Sequence, residues 1–107
     1  MDAHLIYTTH AHLKTLAKWS EWIYCGVGAD IKTDVINKII NEYFEDSTLY
    51  FVTDRKESGQ INKEDILQRI NKEIEQKELF LWDINLKKII EFNRIGVMRK
   101  GLISTSV

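Results

Sequence analysis

Leu79-Phe80-Leu81-Trp82, Lys88-Ile89-Ile90-Glu91-Phe92 and Ile95-Gly96-Val97-Met98-Arg99 are three largely apolar runs near the C-terminus. Asp83-Ile84-Asn85 and Asn93-Arg94 lie near their junctions. Each run is rich in β-branched or aromatic side chains and is short, so each reads as a strand. Asp and Asn side chains imitate backbone hydrogen bonds in turns, and Asn93 suits a positive φ. Connections this short join antiparallel neighbours. A helix over residues 86–92 is the alternative for the middle run. Upstream, Thr48-Leu49-Tyr50-Phe51-Val52-Thr53 is a further strand, apolar enough to be covered on both faces.

Between and before these strands the apolar spacing is helical. Val35, Ile36, Ile39, Ile40, Tyr43 and Phe44 form a stripe, with Thr33 as cap, Asp34 at the positive N-terminus and an end near Glu45–Ser47. Ile66, Leu67, Ile70 and Ile74 form another, opened by Asn62 and Asp65 as a capping pair. Leu13, Leu16, Ala17, Ser20 and Ile23 predict a first helix, capped at Thr8 or Thr9 and stopped by Gly26 and Gly28. Leu5-Ile6-Tyr7 is an edge strand or a lead-in to that helix, and residues 102–107 are expected to fray. The expected fold is α+β: an antiparallel sheet of three to five strands with helices packed against it, in a single domain spanning residues 1–107.

At 107 residues, 44% hydrophobic and 29% charged, the composition is that of an ordinary globular domain. Proline is absent, so no proline-rich linker is expected. The lone Cys25 cannot form an internal disulfide. No apolar run reaches the roughly 18 residues of a membrane span, and residues 1–20 carry charges and histidines with no continuous apolar signal-peptide core, so a cytoplasmic location is expected. The net charge is −1, but it is unevenly spread: residues 1–83 hold 10 basic against 15 acidic side chains, and residues 84–107 hold 5 against 1. Acidic side chains concentrate at Glu42, Glu45 and Asp46, followed by Asp54 and Glu57. These are candidates for meeting a basic partner.

His4, His10 and His12 cluster early, but zinc needs three or four fixed ligands and no histidine or second cysteine follows Cys25. No metal or cofactor is expected. Gly26-Val27-Gly28 follows a helical stripe and lacks the third glycine of a dinucleotide loop. No catalytic residue is assigned. Trp82-Asp83, at a strand end, is read either as core or as a binding anchor at a loop mouth. A small ribonuclease would use His10 or His12, with Lys87, Lys88 or Arg94 holding phosphate. A nucleic-acid-binding module would use the basic strands 87–100.

Tyr50-Phe51-Val52-Thr53-Asp54-Arg55-Lys56, Phe80-Leu81-Trp82-Asp83 and Ile90-Glu91-Phe92-Asn93-Arg94-Ile95-Gly96-Val97-Met98-Arg99 together resemble the small immunity proteins of contact-dependent growth-inhibition systems. The resemblance covers residues 48–101. It implies a protein that performs no chemistry, binds the toxic C-terminal domain of a delivered effector, often a nuclease, and blocks it. Charge and expected exposure place the toxin-binding interface at Glu42, Glu45, Asp46, Asp54, Glu57, Trp82 and Asp83. Neither a nucleic acid nor a membrane is an expected partner.

Overall fold

The computed structural model describes residues 2–26, 30–54, 56–74 and 76–103. The elements are α1 (Ala3–Leu13), a single 3-10 turn (Lys14–Leu16), β1 (Ala17–Trp19), β2 (Ile23–Tyr24), α2 (Thr33–Tyr43), β3 (Thr48–Val52), β4 (Gly59–Asn62), α3 (Lys63–Glu73), β5 (Leu79–Trp82), β6 (Lys88–Asn93) and β7 (Val97–Ile103). Among the described residues, seven strands form one antiparallel sheet in the order β1-β7-β6-β5-β3-β4, with β2 beside β1 on the same edge of β7. The class is α+β as expected, and the sheet is wider than three to five strands.

The extra strands come from two places. Ala17–Trp19 and Ile23–Tyr24, expected at the end of a long helix, pair instead with β7, Ala17 opposite Ile103 and Ile23 opposite Met98. Gly59–Asn62, expected as loop and helix cap, pairs with β3. The first helix therefore starts and stops early. Asp2 caps it by accepting from the Leu5 N–H at 2.8 Å. The Thr8 hydroxyl, expected as a cap, donates back to the carbonyls of His4 and Leu5. Leu5-Ile6-Tyr7 lies inside α1. Gly26 takes φ +74, as a turn after β2 requires, while Gly28 lies outside the described residues. In the β6–β7 hairpin the positive φ falls on Gly96, not Asn93. Asn93 contributes its side-chain oxygen, which accepts from the Ile95 N–H. Leu102 and Ile103, expected to fray, belong to β7.

The alternation of each strand sends side chains to two faces. One face carries Leu49, Phe51, Leu79, Leu81, Ile90, Phe92 and Met98, covered by α2 and α3. Those helices and the residues that cap their C-termini bury Ile36, Ile40 and Phe44, and Ile66, Ile70 and Ile74, at intervals of four. Each such isoleucine stabilises the fold by about 1.5–3 kcal/mol through apolar area removed from water. The opposite face carries Tyr50, Val52, Phe80, Trp82, Ile89 and Ile103, with Ile6 of α1 packed on it. Cover on both sides explains why β3, β5 and β6 are almost continuously apolar. Among the described residues no helix is long and apolar enough to cross a membrane.

Candidate protein-binding face

The acidic side chains singled out in the sequence do not share one face. Glu42 and Glu45 are exposed and Asp46 is half-buried, all before β3, while Asp54 and Glu57 follow it. The length of β3, roughly 17 Å at the usual strand rise, separates the two groups. Asp46 accepts from the Ile84 N–H at 3.2 Å. Asp54 accepts from the N–H groups of Lys56 and Glu57 and binds Lys77 at 3.2 Å, and Glu57 binds the same ammonium at 2.8 Å. Those amide hydrogen bonds, with Lys77 adding to them, hold the Asp54 carboxyl below the usual carboxylate range.

Trp82 and Asp83 are placed differently from a surface anchor. Trp82 is 0% exposed, which is the core reading of that residue. Asp83 is 8% exposed; one of its oxygens accepts from the N–H groups of Lys87 and Lys88 at 2.7 and 2.8 Å. Those bonds close the β5–β6 turn around Leu86, which sits at φ +58. Asp83 thus organises a turn in this fold. Glu45, Asp46 and Asp83 do meet around a cleft of about 270 Å³, but Lys87 and Lys88 line it too, so its charge is mixed.

Trp82 explains one histidine. Its indole N–H donates to Nδ1 of His10 at 2.9 Å, across the α1–sheet interface. The His10 ring lies 4.4 Å from the Phe80 ring, and only 4% of the residue is exposed. Burial, aided by the Lys14 ammonium, lowers its pKa to about 4. An indole nitrogen can only donate, so neutral His10 carries its proton on Nε2. His10 and Arg94, two of the residues a ribonuclease would use, line one cleft; His12, Lys87 and Lys88 lie outside it. With Nδ1 engaged and Nε2 already protonated, His10 has no free lone pair to act as a base near neutral pH.

The basic residues of the last strands are also divided. Lys88 and Lys100 turn toward α2, 5.4 and 5.5 Å from the Tyr43 ring, and Lys88 donates to the Tyr43 carbonyl at 3.1 Å. Lys63 donates to the carbonyl of Phe44, so cations meet the negative end of α2. Arg99, one residue from Lys100, faces the other side. Strand alternation therefore splits the charge that a nucleic-acid-binding ribbon would need on one face. Cys25 is fully buried in the α2–α3 core, and burial pushes its thiol up to about 11.

Arg99 occupies a corner of the sheet that departs from this pattern of helix-covered core. On the α1 side, α1 packs over Tyr50, Val52, Phe80 and Trp82, and the β6–β7 end carries Glu91 and Arg99 instead. Arg99 donates to Glu91 at 2.8 Å. Its guanidinium carbon lies 4.1 Å from the centre of the Trp19 ring and 4.4 Å from that of Trp22. Ser20, between the two indoles, is tied to Lys100 by bonds in both directions, Ser20 N–H to the Lys100 carbonyl and Lys100 N–H to the Ser20 hydroxyl. Trp22 is 46% and Tyr24 56% exposed. Helical spacing hid this cluster in the sequence. The alternation of Ala17 and Trp19 around Lys18 is its one local signal, because it turns both side chains to one face of a strand.

Gly101 sets how closely Trp19 approaches. A Cβ there would lie 2.7 Å from Cγ2 of Ile89 and 2.9 Å from Cε3 of Trp19. Gly101→Ala is expected to cost about 1–3 kcal/mol, the usual range for overpacking. Urea unfolding measures this, and an unchanged midpoint would mean that Trp19 moves aside freely. Comparison of the chain with protein-family models, curated proteins and solved structures finds no match.

Proposed function

We propose that this chain is a cytoplasmic immunity protein that binds the toxic C-terminal domain of a contact-dependent growth-inhibition effector, a nuclease in the simplest case, and neutralises it by covering its working surface. The observation that carries this reading is the Trp22–Tyr24–Arg99 corner. Tryptophan, tyrosine and arginine are the side chains on which protein interfaces most depend. Glu91 and two indoles already order Arg99, so little of its conformational freedom is left to lose on binding. The resemblance of residues 48–101 to immunity proteins supplies the class of partner. Glu42, Glu45 and Asp46 at one end of β3, and Asp54 and Glu57 at the other, would act at longer range by steering a basic partner.

Co-expression with the effector fragment encoded beside the chain should restore growth, and the purified pair should co-elute as a stable complex. Trp22→Ala and Tyr24→Ala should each weaken that complex by about 30-fold, the size of a central hot spot, while circular dichroism stays unchanged. Glu45→Lys combined with Asp46→Lys should instead slow association by about tenfold at low salt and have little effect at high salt. Failure to restore growth or to co-elute ends the immunity reading. A complex indifferent to Trp22→Ala and Tyr24→Ala moves the interface away from this corner.

A further inference from the structure

We propose that the cleft between α1 and the adjoining end of the sheet binds a phosphate group, with the Nε2–H of His10 and the side chains of Lys14 and Arg94 as its donors. The cleft measures about 430 Å³, within the range of small-molecule sites, and its lining is mainly polar. Four elements converge on it. His10 comes from α1, Lys14 from the 3-10 turn that follows it, Phe80 from β5, and Arg94 from the β6–β7 hairpin.

Two observations point independently to an anion. The first is His10. The Trp82 indole fixes its tautomer, so Nε2 is a donor, and no acceptor meets it among the described residues. Only one side-chain polar atom among those residues is both sealed from solvent and without a partner, Oγ1 of Thr53; Nε2 is therefore open to the cleft that His10 lines. A buried ring held rigidly by its other nitrogen presents that proton with little loss of freedom on binding. The second is charge. Lys14 rests 5.3 Å from the centre of the Phe80 ring and has no carboxylate partner among the described residues. Arg94 is exposed and likewise unpaired among them. Lys77 also lines the cleft but is held by Asp54 and Glu57, and Glu78 is the lining carboxylate. Two cations and one neutral N–H donor suit a doubly charged oxyanion, whose oxygens accept several charge-assisted bonds at once. This binding transfers no proton. It does not depend on the toxin-neutralising reading, and its test uses no partner protein.

The test is nuclear magnetic resonance of the full-length, 15N-labelled chain near neutral pH. One arm titrates inorganic phosphate, and the other a nucleoside 5′-monophosphate. Sodium chloride at matched ionic strength is the reference. The expected result is a saturable shift of the His10 ring nitrogens and the Arg94 side-chain Nε–H. Arg94→Gln and Lys14→Gln, both at exposed positions, should each weaken binding by about tenfold, the effect of losing one charge-assisted bond. Lys38→Gln, on the far side of the sheet, should leave it unchanged. Tighter binding of the ester identifies an organic phosphate as the ligand, and equal binding identifies the free ion; either supports the site. A shift that never saturates overturns it, as does a binding constant that Arg94→Gln and Lys14→Gln leave where Lys38→Gln does.

Discussion

Trp82→Ala is expected to remove about 3–5 kcal/mol of folding stability, the range for emptying a fully packed aromatic site. The ring is completely buried and is the largest such side chain among the described residues. It stands between Tyr50 and Ile89 in the sheet register and packs in the cluster that joins α1 to the sheet. Its removal does more than open a cavity, because Nδ1 of His10 then loses its donor in a buried position. An orphaned buried acceptor costs about 1–3 kcal/mol. Against a total of about 5–15 kcal/mol for a domain of this size, the variant would be marginal. Trp82→Phe keeps most of the volume but not the N–H, and should cost clearly less. Urea unfolding followed by circular dichroism separates the three proteins. A loss below about 1 kcal/mol for Trp82→Ala would return this ring to the surface and to the role of a binding anchor.

How the two halves of the fold could be read in the sequence follows from where their determinants lie. Ile36 and Ile40 of α2 with its C-cap Phe44, and Ile66 and Ile70 of α3 with its C-cap Ile74, announce their helices because a helix is a local structure and its buried stripe is written within one segment. β3, β5 and β6 are similarly legible, since cover on both faces makes them nearly all apolar. The segment from Ala17 to Tyr24 is different. Leu13, Leu16, Ala17, Ser20 and Ile23 have helical spacing, yet Ala17–Trp19 is held as a strand by Gly101, Leu102 and Ile103, more than eighty residues away. β4 is likewise made by its neighbour. Gly59-Gln60-Ile61-Asn62 has no apolar run, and β3 supplies its register.

The same distinction governs the candidate sites. Charge is visible in a sequence, but its placement is not. Glu45 and Asp46 precede β3 while Asp54 and Glu57 follow it, so a dense acidic segment becomes two separate groups. Lys100 and Arg99 are adjacent in sequence, and a strand turns them to opposite faces. Trp19, Trp22 and Arg99 meet only because β1 and β7 pair, just as His10 and Trp82 meet across 72 residues. Side chains brought together by long-range strand pairing or helix docking leave no periodic trace, which is why both the aromatic corner and the histidine cleft emerge from the tertiary structure.

The His10–Trp82 contact also makes folding stability sensitive to pH in a defined window. His10 has a folded pKa of about 4 against an ordinary value of 6.5. In that interval the unfolded chain binds a proton and the folded chain does not, so stability rises with pH. The contribution is fully present above about pH 6.5, declines as the pH falls, and is exhausted below about pH 4. Roughly 1.4 kcal/mol per unit gives a loss of about 3 kcal/mol across the window. The groups facing the ring have a direct bearing on that loss: the Trp82 N–H opposes a proton on Nδ1, Lys14 opposes the added charge, and Phe80 and Tyr7 offer rings in place of water. Asp54, whose carboxyl is also held low, loses its contribution mainly below its own ordinary value of 3.8, so its effect falls largely below the His10 window. His10→Gln, whose side-chain oxygen can still accept from the indole, should be less stable near pH 7 but lose far less between about pH 6.5 and 4. Urea midpoints for the two proteins across that range decide the matter. Parallel curves would show that the proton on His10 is not what couples this fold to acid.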